Sequence, residues 1–222
     1  MKKIRKAIFK IRKDTDKICD DYLTKIYIQI KNYINNYPEI NWDDFKENIL
    51  KFCYDCLEEV YAYVSKSLKE IYDKVEDFDI EDINDLTYQK DGKTLDDRIS
   101  EHLKNAKEKL DNKEKPDLVI LYLLNRMTLI LITETRMVEQ TVKRNKKPIL
   151  KDGYYGILVI DGCGGDCDGN CLDYNGIYPE DAEVPTPPYH PNCGGIIYYD
   201  ITDDPDEIEE LDLDNTDLDD LN

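Results

Sequence analysis

The stretch KIRKAIFKIRKDTDKICDDYLTKIYIQIKNYINN, residues 3–36, carries Ile4, Ile8, Ile11, Ile18, Tyr22, Ile26, Ile30 and Tyr33 at close to helical spacing, with charged residues between them. That period predicts one long amphipathic helix, and Pro38 marks its limit. Asn41 then stands where a helix N-cap belongs, and Asp43 and Asp44 suit the positive end of a helix dipole. From there Phe45, Ile49, Phe52, Leu57, Val60, Val64, Leu68 and Ile71 continue an apolar stripe toward Lys74. At 1.5 Å per residue each helix is about 50 Å long, which predicts an elongated antiparallel hairpin over residues 3–75.

Working outward, the acidic stretch 76–85 reads as a linker that extends to residue 93. Thr94 with Asp97 three positions later forms a capping arrangement for a helix bearing Leu95, Ile99, Leu103, Ala106 and Leu110, and Pro116 marks its far end. Asp117 can cap the next helix, 118–143, whose first half is apolar almost all round and therefore belongs in the middle of a bundle. Residues 118–132 are too few for a membrane span, which needs about 20 apolar residues, and they contain Asn125 and Arg126. After Pro148 the character changes: 154–160 and 196–201 are short, aromatic and β-branched, and read as strands. The fold class is α+β and mainly α. The expected parts are a helical domain 1–150 (hairpin 3–75, linker 76–93, helices 94–146), a small two- or three-stranded β module 151–201, and an acidic tail 202–222.

The 222 residues carry 30 Lys and Arg against 49 Asp and Glu, a net charge of -19. Every cation lies at or before Lys151, whereas 20 of the 49 acids follow it. The excess acid disfavours a general nucleic-acid coat, because phosphate binding needs cationic surface. Only the basic arm, residues 2–17, could contact DNA, weakly and with strong salt dependence. That arm has charge interspersed among its apolar residues, so a secretory leader is not expected. In the tail, Asp203, Asp204, Asp206 and Glu207 precede Ile208 and Leu211, an acidic pattern with interspersed apolar residues that suits docking on a basic partner.

Between the two strands lies a loop of about 35 residues, a length uncommon inside a compact domain unless something holds it. It concentrates Cys163, Cys167, Cys171 and Cys193 with His190, four of the seven cysteines and one of the two histidines. Zinc takes thiolate and imidazole ligands in a tetrahedron, usually as two close pairs. Cys167-x3-Cys171 and His190-x2-Cys193 have that form, with Cys163 as a further candidate, and the outcome would be a closed structural site. A disulfide in an oxidising compartment and unligated thiols are the alternatives. Calcium is excluded at Asp166-x-Asp168-x-Asn170, because Cys171 stands where Gly belongs and Ile177 where Glu belongs. No His-Glu-x-x-His occurs, which removes the metalloprotease arrangement. The pair Cys53-x-x-Cys56, and Cys19, sit on apolar helical stripes and read as core. His102 reads as a hydrogen-bonded residue at the edge of the core, and Trp42 as a packing anchor.

At this loop the chain resembles the minor head, or head morphogenesis, proteins of tailed phages, the group typified by the phage Mu F protein. Thr133-Glu134-Thr135-Arg136 stands on a helix, residues 157–160 form a strand, and Asp161 precedes the cysteines. Cys171-Leu172-Asp173-Tyr174-Asn175-Gly176 has the Cys-to-Gly spacing, and Pro187-Pro188-Tyr189-His190-Pro191-Asn192-Cys193 matches the last block. The similarity covers about residues 118–200. It departs from the family at Gly194-Gly195, where an Arg-Cys is usual, at the extra Cys163, and in the three residues within the Cys pair. The resemblance implies a virion component made in the host cytoplasm, associated with portal or inner capsid proteins and acting in head morphogenesis or DNA delivery. Two alternatives stand beside it: a small ADP-ribosyltransferase-like enzyme using Glu134 and Arg136, and a zinc-stabilised nucleic-acid-binding module.

Overall fold

The computed structural model describes residues 2–87, 92–161, 174–185, 187 and 193–203. Its elements are helices α1 (Lys2–Asn35), α2 (Trp42–Tyr72), α3 (Leu95–Asp111) and α4 (Pro116–Asn145), and strands β1 (Tyr155–Asp161), β2 (Gly176–Pro179) and β3 (Ile196–Thr202). The α+β class, dominated by helix, is therefore observed.

Local chemistry sets the helix ends. Asn41 Oδ1 accepts the backbone N–H groups of Asp43 and Asp44 at 3.2 and 3.4 Å, which satisfies two of the orphan donors at the start of α2. Thr94 and Asp97 close a full capping box on α3. Pro116 does more than mark the end of α3: it is the first residue of α4, where a missing N–H has no cost. Within the supposed linker, Asp82 caps a short 3-10 helix, Ile83–Leu86, whose two apolar ends are buried.

The chain divides into two compact units. The first comprises Met1–Asp14, Tyr61–Asp79 and Glu139–Asn222, and the second Thr15–Val60 and Ile80–Val138. In the second unit Tyr33 stacks on Phe45, with centroids 4.5 Å apart, and Trp42 tilts against Phe45. Tyr22 donates to Glu59, and His102 Nδ1 lies 3.0 Å from the Tyr122 hydroxyl. Cys19, Cys53 and Cys56 are all buried. They occupy core positions as expected, whereas Phe52, placed in the stripe by its spacing, is only half-buried. The apolar line along α2 thus runs Phe45, Ile49, Cys53, Cys56, Val60 and Val64.

The expectation for α4 is corrected in part. Its apolar first half is not enclosed all round: Val119, Ile120, Leu123, Met127, Ile130 and Leu131 are buried, but Leu118 and Leu121 are 50% and 53% exposed, while farther along Thr133, Glu134, Thr135, Glu139, Gln140 and Lys143 are buried. Composition favoured burial on every side, but a helix face is buried only where a neighbour covers it, and apolar residues without such cover stay exposed.

In the first unit β1 is the central strand of an antiparallel sheet in the order β2-β1-β3. Its register sets Asp161 opposite Ile196 and Ile160 opposite Gly176. Gly153, at φ 83°, supplies the left-handed residue of the turn that leads into β1, closed by Tyr154 N–H donating to Lys151 O. The outward-facing groups of β3 are paired with helix side chains. Ile197 N–H donates to Gln140 Oε1 at 2.9 Å, Tyr199 N–H donates to the Tyr72 hydroxyl at 3.1 Å, and that hydroxyl donates to Tyr199 O at 2.6 Å. An edge whose donors are already occupied is a poor template for further strand pairing.

Candidate functional site

The site with most to hold together is the end of the sheet where the long cysteine loop leaves and returns. β1 ends at Asp161, β2 begins at Gly176 and β3 begins at Ile196, and the register brings these three residues to the same end. Cys163 follows Asp161 by two residues, Cys171 precedes Gly176 by five, and Cys193 precedes Ile196 by three. At no more than about 3.5 Å per residue, each of these thiols is tethered within about 7–18 Å of its strand end. Three cysteine-bearing segments therefore start from one edge. Cys163, Cys167, Cys171 and His190 lie outside the described residues; Cys193 is described, and only 1% of it is exposed. Among the described residues no group of three or more His, Cys, Asp or Glu side chains is placed to hold a metal ion. The donor set itself, thiolates with one imidazole tethered to one sheet edge, fits a zinc-type ion.

Two arginines of α1 brace that edge. Arg5 Nε and a terminal nitrogen lie 3.1 and 3.0 Å from Asp161 Oδ2, at the end of β1. Seven residues on, two turns along the same face, Arg12 donates to the carbonyl oxygens of Gly194 and Gly195 at 3.2 and 3.1 Å, just after Cys193. The segment leaving the sheet and the segment returning to it are thus held by one helix.

Arg12 is itself fixed from α4. Its Nε donates to both oxygens of Glu139, at 3.0 and 2.8 Å, and Lys143 Nζ reaches Glu139 Oε1 at 2.5 Å. Glu139 is fully buried and Lys143 nearly so. Burial alone would raise the Glu139 pKa, but the Lys143 and Arg12 charges and their hydrogen bonds overturn that and hold it at about 2. The next residue, Gln140, bonds both ways, donating to Glu139 and accepting from Ile197. These braces were missed in the sequence. The signal was present: Ile8, Ile11, Thr15 and Cys19 define the buried face of α1, and Arg12 lies on it rather than on the charged face.

The alternative site, Thr133 to Arg136, is arranged differently. Thr133 and Thr135 hydroxyls donate back to Leu129 O and Leu131 O on their own helix. The Glu134 carboxylate is fully buried and accepts from Arg98 of α3. Arg136 pairs with Asp16 at 2.9 Å. A cleft of about 250 Å³ is lined by Asp16, Cys19, Asp20, Ile132, Thr135 and Arg136, and Glu134 contributes nothing to its described walls. The two residues that would have to act together in catalysis are thus engaged by different partners. Nearby, burial and then the Glu134 charge push the Cys53 thiol up to about 12, which keeps it protonated.

Of the proposed tail contacts only Asp203 is described, and it is exposed; Asp204, Asp206, Glu207, Ile208 and Leu211 lie outside the described residues. No family model matches the chain, and neither does any curated protein or solved structure.

Proposed function

We propose that the chain is a minor head protein of a tailed phage, a virion component that joins portal or inner capsid proteins in head morphogenesis or DNA delivery. The observation that supports it best is the common sheet edge. The blocks that resemble the family, around Asp161, Cys171 to Gly176 and Pro187 to Cys193, are separate in sequence yet anchored to strands that end together. A structural zinc ion held by four of Cys163, Cys167, Cys171, His190 and Cys193 would turn that edge into a rigid docking knob. It would also account for a long Gly- and Asp-rich loop. The acidic segment beyond Thr202 then offers a contact for a basic partner surface.

The enzymatic reading draws less support, because Glu134 is buried against Arg98 and away from the Arg136 cleft. The nucleic-acid reading is weakened by the absence of any Lys or Arg after Lys151 in the sequence.

Two measurements on the whole chain test the proposal. Zinc content of purified protein should approach one ion per chain, and chelation should lower thermal stability, since a structural ion contributes folding energy. A stoichiometry well below one, with no stability loss on chelation, refutes the zinc knob. Expression with the neighbouring head genes, followed by pull-down through this chain, should recover portal or capsid protein. Recovery of neither refutes the assembly role.

A further inference from the structure

Along the first three turns of α1 the buried and exposed positions separate cleanly. Ile8, Ile11 and Arg12 are buried, while Lys3, Lys6, Lys10 and Lys13 are exposed. Spacings of three, four and three residues place the four lysines on one stripe. It is about 15 Å long. Phe9 lies beside the stripe, 40% exposed, with the Arg5 guanidinium 5.5 Å from its ring centroid, and Ile4 is half-buried. The described acids that pair with cations of α1 and its neighbours engage Arg5, Arg12, Lys143 and Lys146, and none pairs with these four lysines. The first unit therefore presents a row of ammonium groups with apolar surface at its side.

The complementary chemistry is in the same chain. Residues 203–222 hold 11 carboxylates, no cation, and Ile208, Leu211, Leu213, Leu218 and Leu221 at intervals. We infer that the lysine stripe of α1 is the docking surface for the chain's own acidic segment, residues 204–222. The inference does not depend on the head-protein reading, and a basic partner surface of the kind proposed above would have to displace the segment from this stripe.

Tethering supports an intramolecular contact. β3 starts at Ile196, opposite the Asp161 that Arg5 grips, and ends at Thr202, about 20 Å farther along the strand. A segment of 19 residues has a root-mean-square span of about 25 Å, and full extension exceeds about 60 Å. The stripe therefore lies within ordinary reach, and the tether sets a local concentration on the order of millimolar. Carboxylates face ammonium groups while the interspersed Ile and Leu find Phe9 and Ile4. A nucleic-acid phosphate backbone, the other polyanion chemistry that suits four lysines, would have to displace the segment first.

The test compares acylation rates of individual lysines by mass spectrometry in the full chain and in a chain ending at Asp203. At about 0.02 M salt, Lys3, Lys6, Lys10 and Lys13 of the full chain should react several-fold more slowly than the exposed Lys31, Lys51 and Lys107. The difference should vanish at about 0.5 M salt and in the shortened chain, and should not change with protein concentration. Equal rates in the two chains at low salt overturn the inference. So does protection that grows with concentration, which assigns the stripe to the acidic segment of a second copy. Binding to a short DNA duplex provides an independent arm. The shortened chain should bind at least tenfold more tightly than the full chain, with a log–log salt slope of about -3.6 for four phosphate contacts. The fourfold variant Lys3→Gln, Lys6→Gln, Lys10→Gln, Lys13→Gln, altered only on an exposed face, should lose both the binding and the slope. Equal duplex affinity for full and shortened chains also overturns it.

Discussion

Replacing Glu139 by Gln removes a negative charge that pairs with two buried cations, Arg12 and Lys143, while keeping the side chain's size. In the parent chain the carboxylate titrates at about 2 when folded against an ordinary 4.5. Because its folded pKa is depressed, the stabilisation it supplies is complete above the unfolded value. It is lost as pH falls from about 4.5 toward 2 and amounts to about 3 kcal/mol at neutral pH. The variant also takes that counter-charge from two buried cations, so the expected cost near neutral pH is about 3–5 kcal/mol, a large share of a typical 5–15. Urea unfolding of parent and variant at several pH values from neutral to about 3 measures both quantities. The gap should narrow as pH falls, because protonation makes the parent's Glu139 resemble Gln. Other carboxylates titrate alike in both chains and drop out of the difference. A gap under about 1 kcal/mol at neutral pH, or one that is the same near pH 3, would refute the reasoning.

Four further outcomes follow from the same geometry. Arg98→Met removes a cation that pairs with the buried Glu134 and should cost about 3 kcal/mol, a fall in melting temperature of roughly 6–12 °C by differential scanning calorimetry. Tyr72→Phe removes the hydroxyl that both accepts from and donates to Tyr199; an equilibrium denaturation series should show a loss of about 1–3 kcal/mol. Thr94→Ala opens the capping box of α3, and about 1 kcal/mol should disappear, whereas an unchanged urea midpoint would mean that the box contributes nothing. Cys53, with its thiol pushed up to about 12, should resist iodoacetamide in the native chain near pH 8; rapid alkylation there would contradict its burial.

The helices were legible because their determinants are local. Each cap joins residues two or three apart, as in Asn41 with Asp43 and Asp44 or Thr94 with Asp97, and each apolar stripe is a periodicity within one segment. Strands β1 and β3 were legible for the same reason. The third, Gly176–Pro179, has four residues and little apolar pattern of its own, and exists as a strand because β1 offers it a partner. The exposed face of α4 at Leu118 and Leu121 departs from the composition, since hydrophobicity states a tendency to be buried and says nothing about which neighbour will provide the cover.

For the candidate site, the sequence by itself determined which candidate ligands lie together: the thiols, one imidazole and the glycines sit in one stretch. It also determined that every Lys and Arg precedes the last 71 residues, which leaves that stretch strongly acidic, because both are properties of composition along the chain. Tertiary structure alone decided that Asp161, Gly176 and Ile196 end together, and that Arg5 and Arg12 hold the two ends of the loop. It alone decided too that Glu139 is the anion between Arg12 and Lys143 while Glu134, five residues earlier, belongs to Arg98. Arg12 and Glu139 are separated by 127 positions in the chain. A charge in a sequence has no assigned counter-charge until packing removes both from water, and only then does the choice of partner carry several kcal/mol.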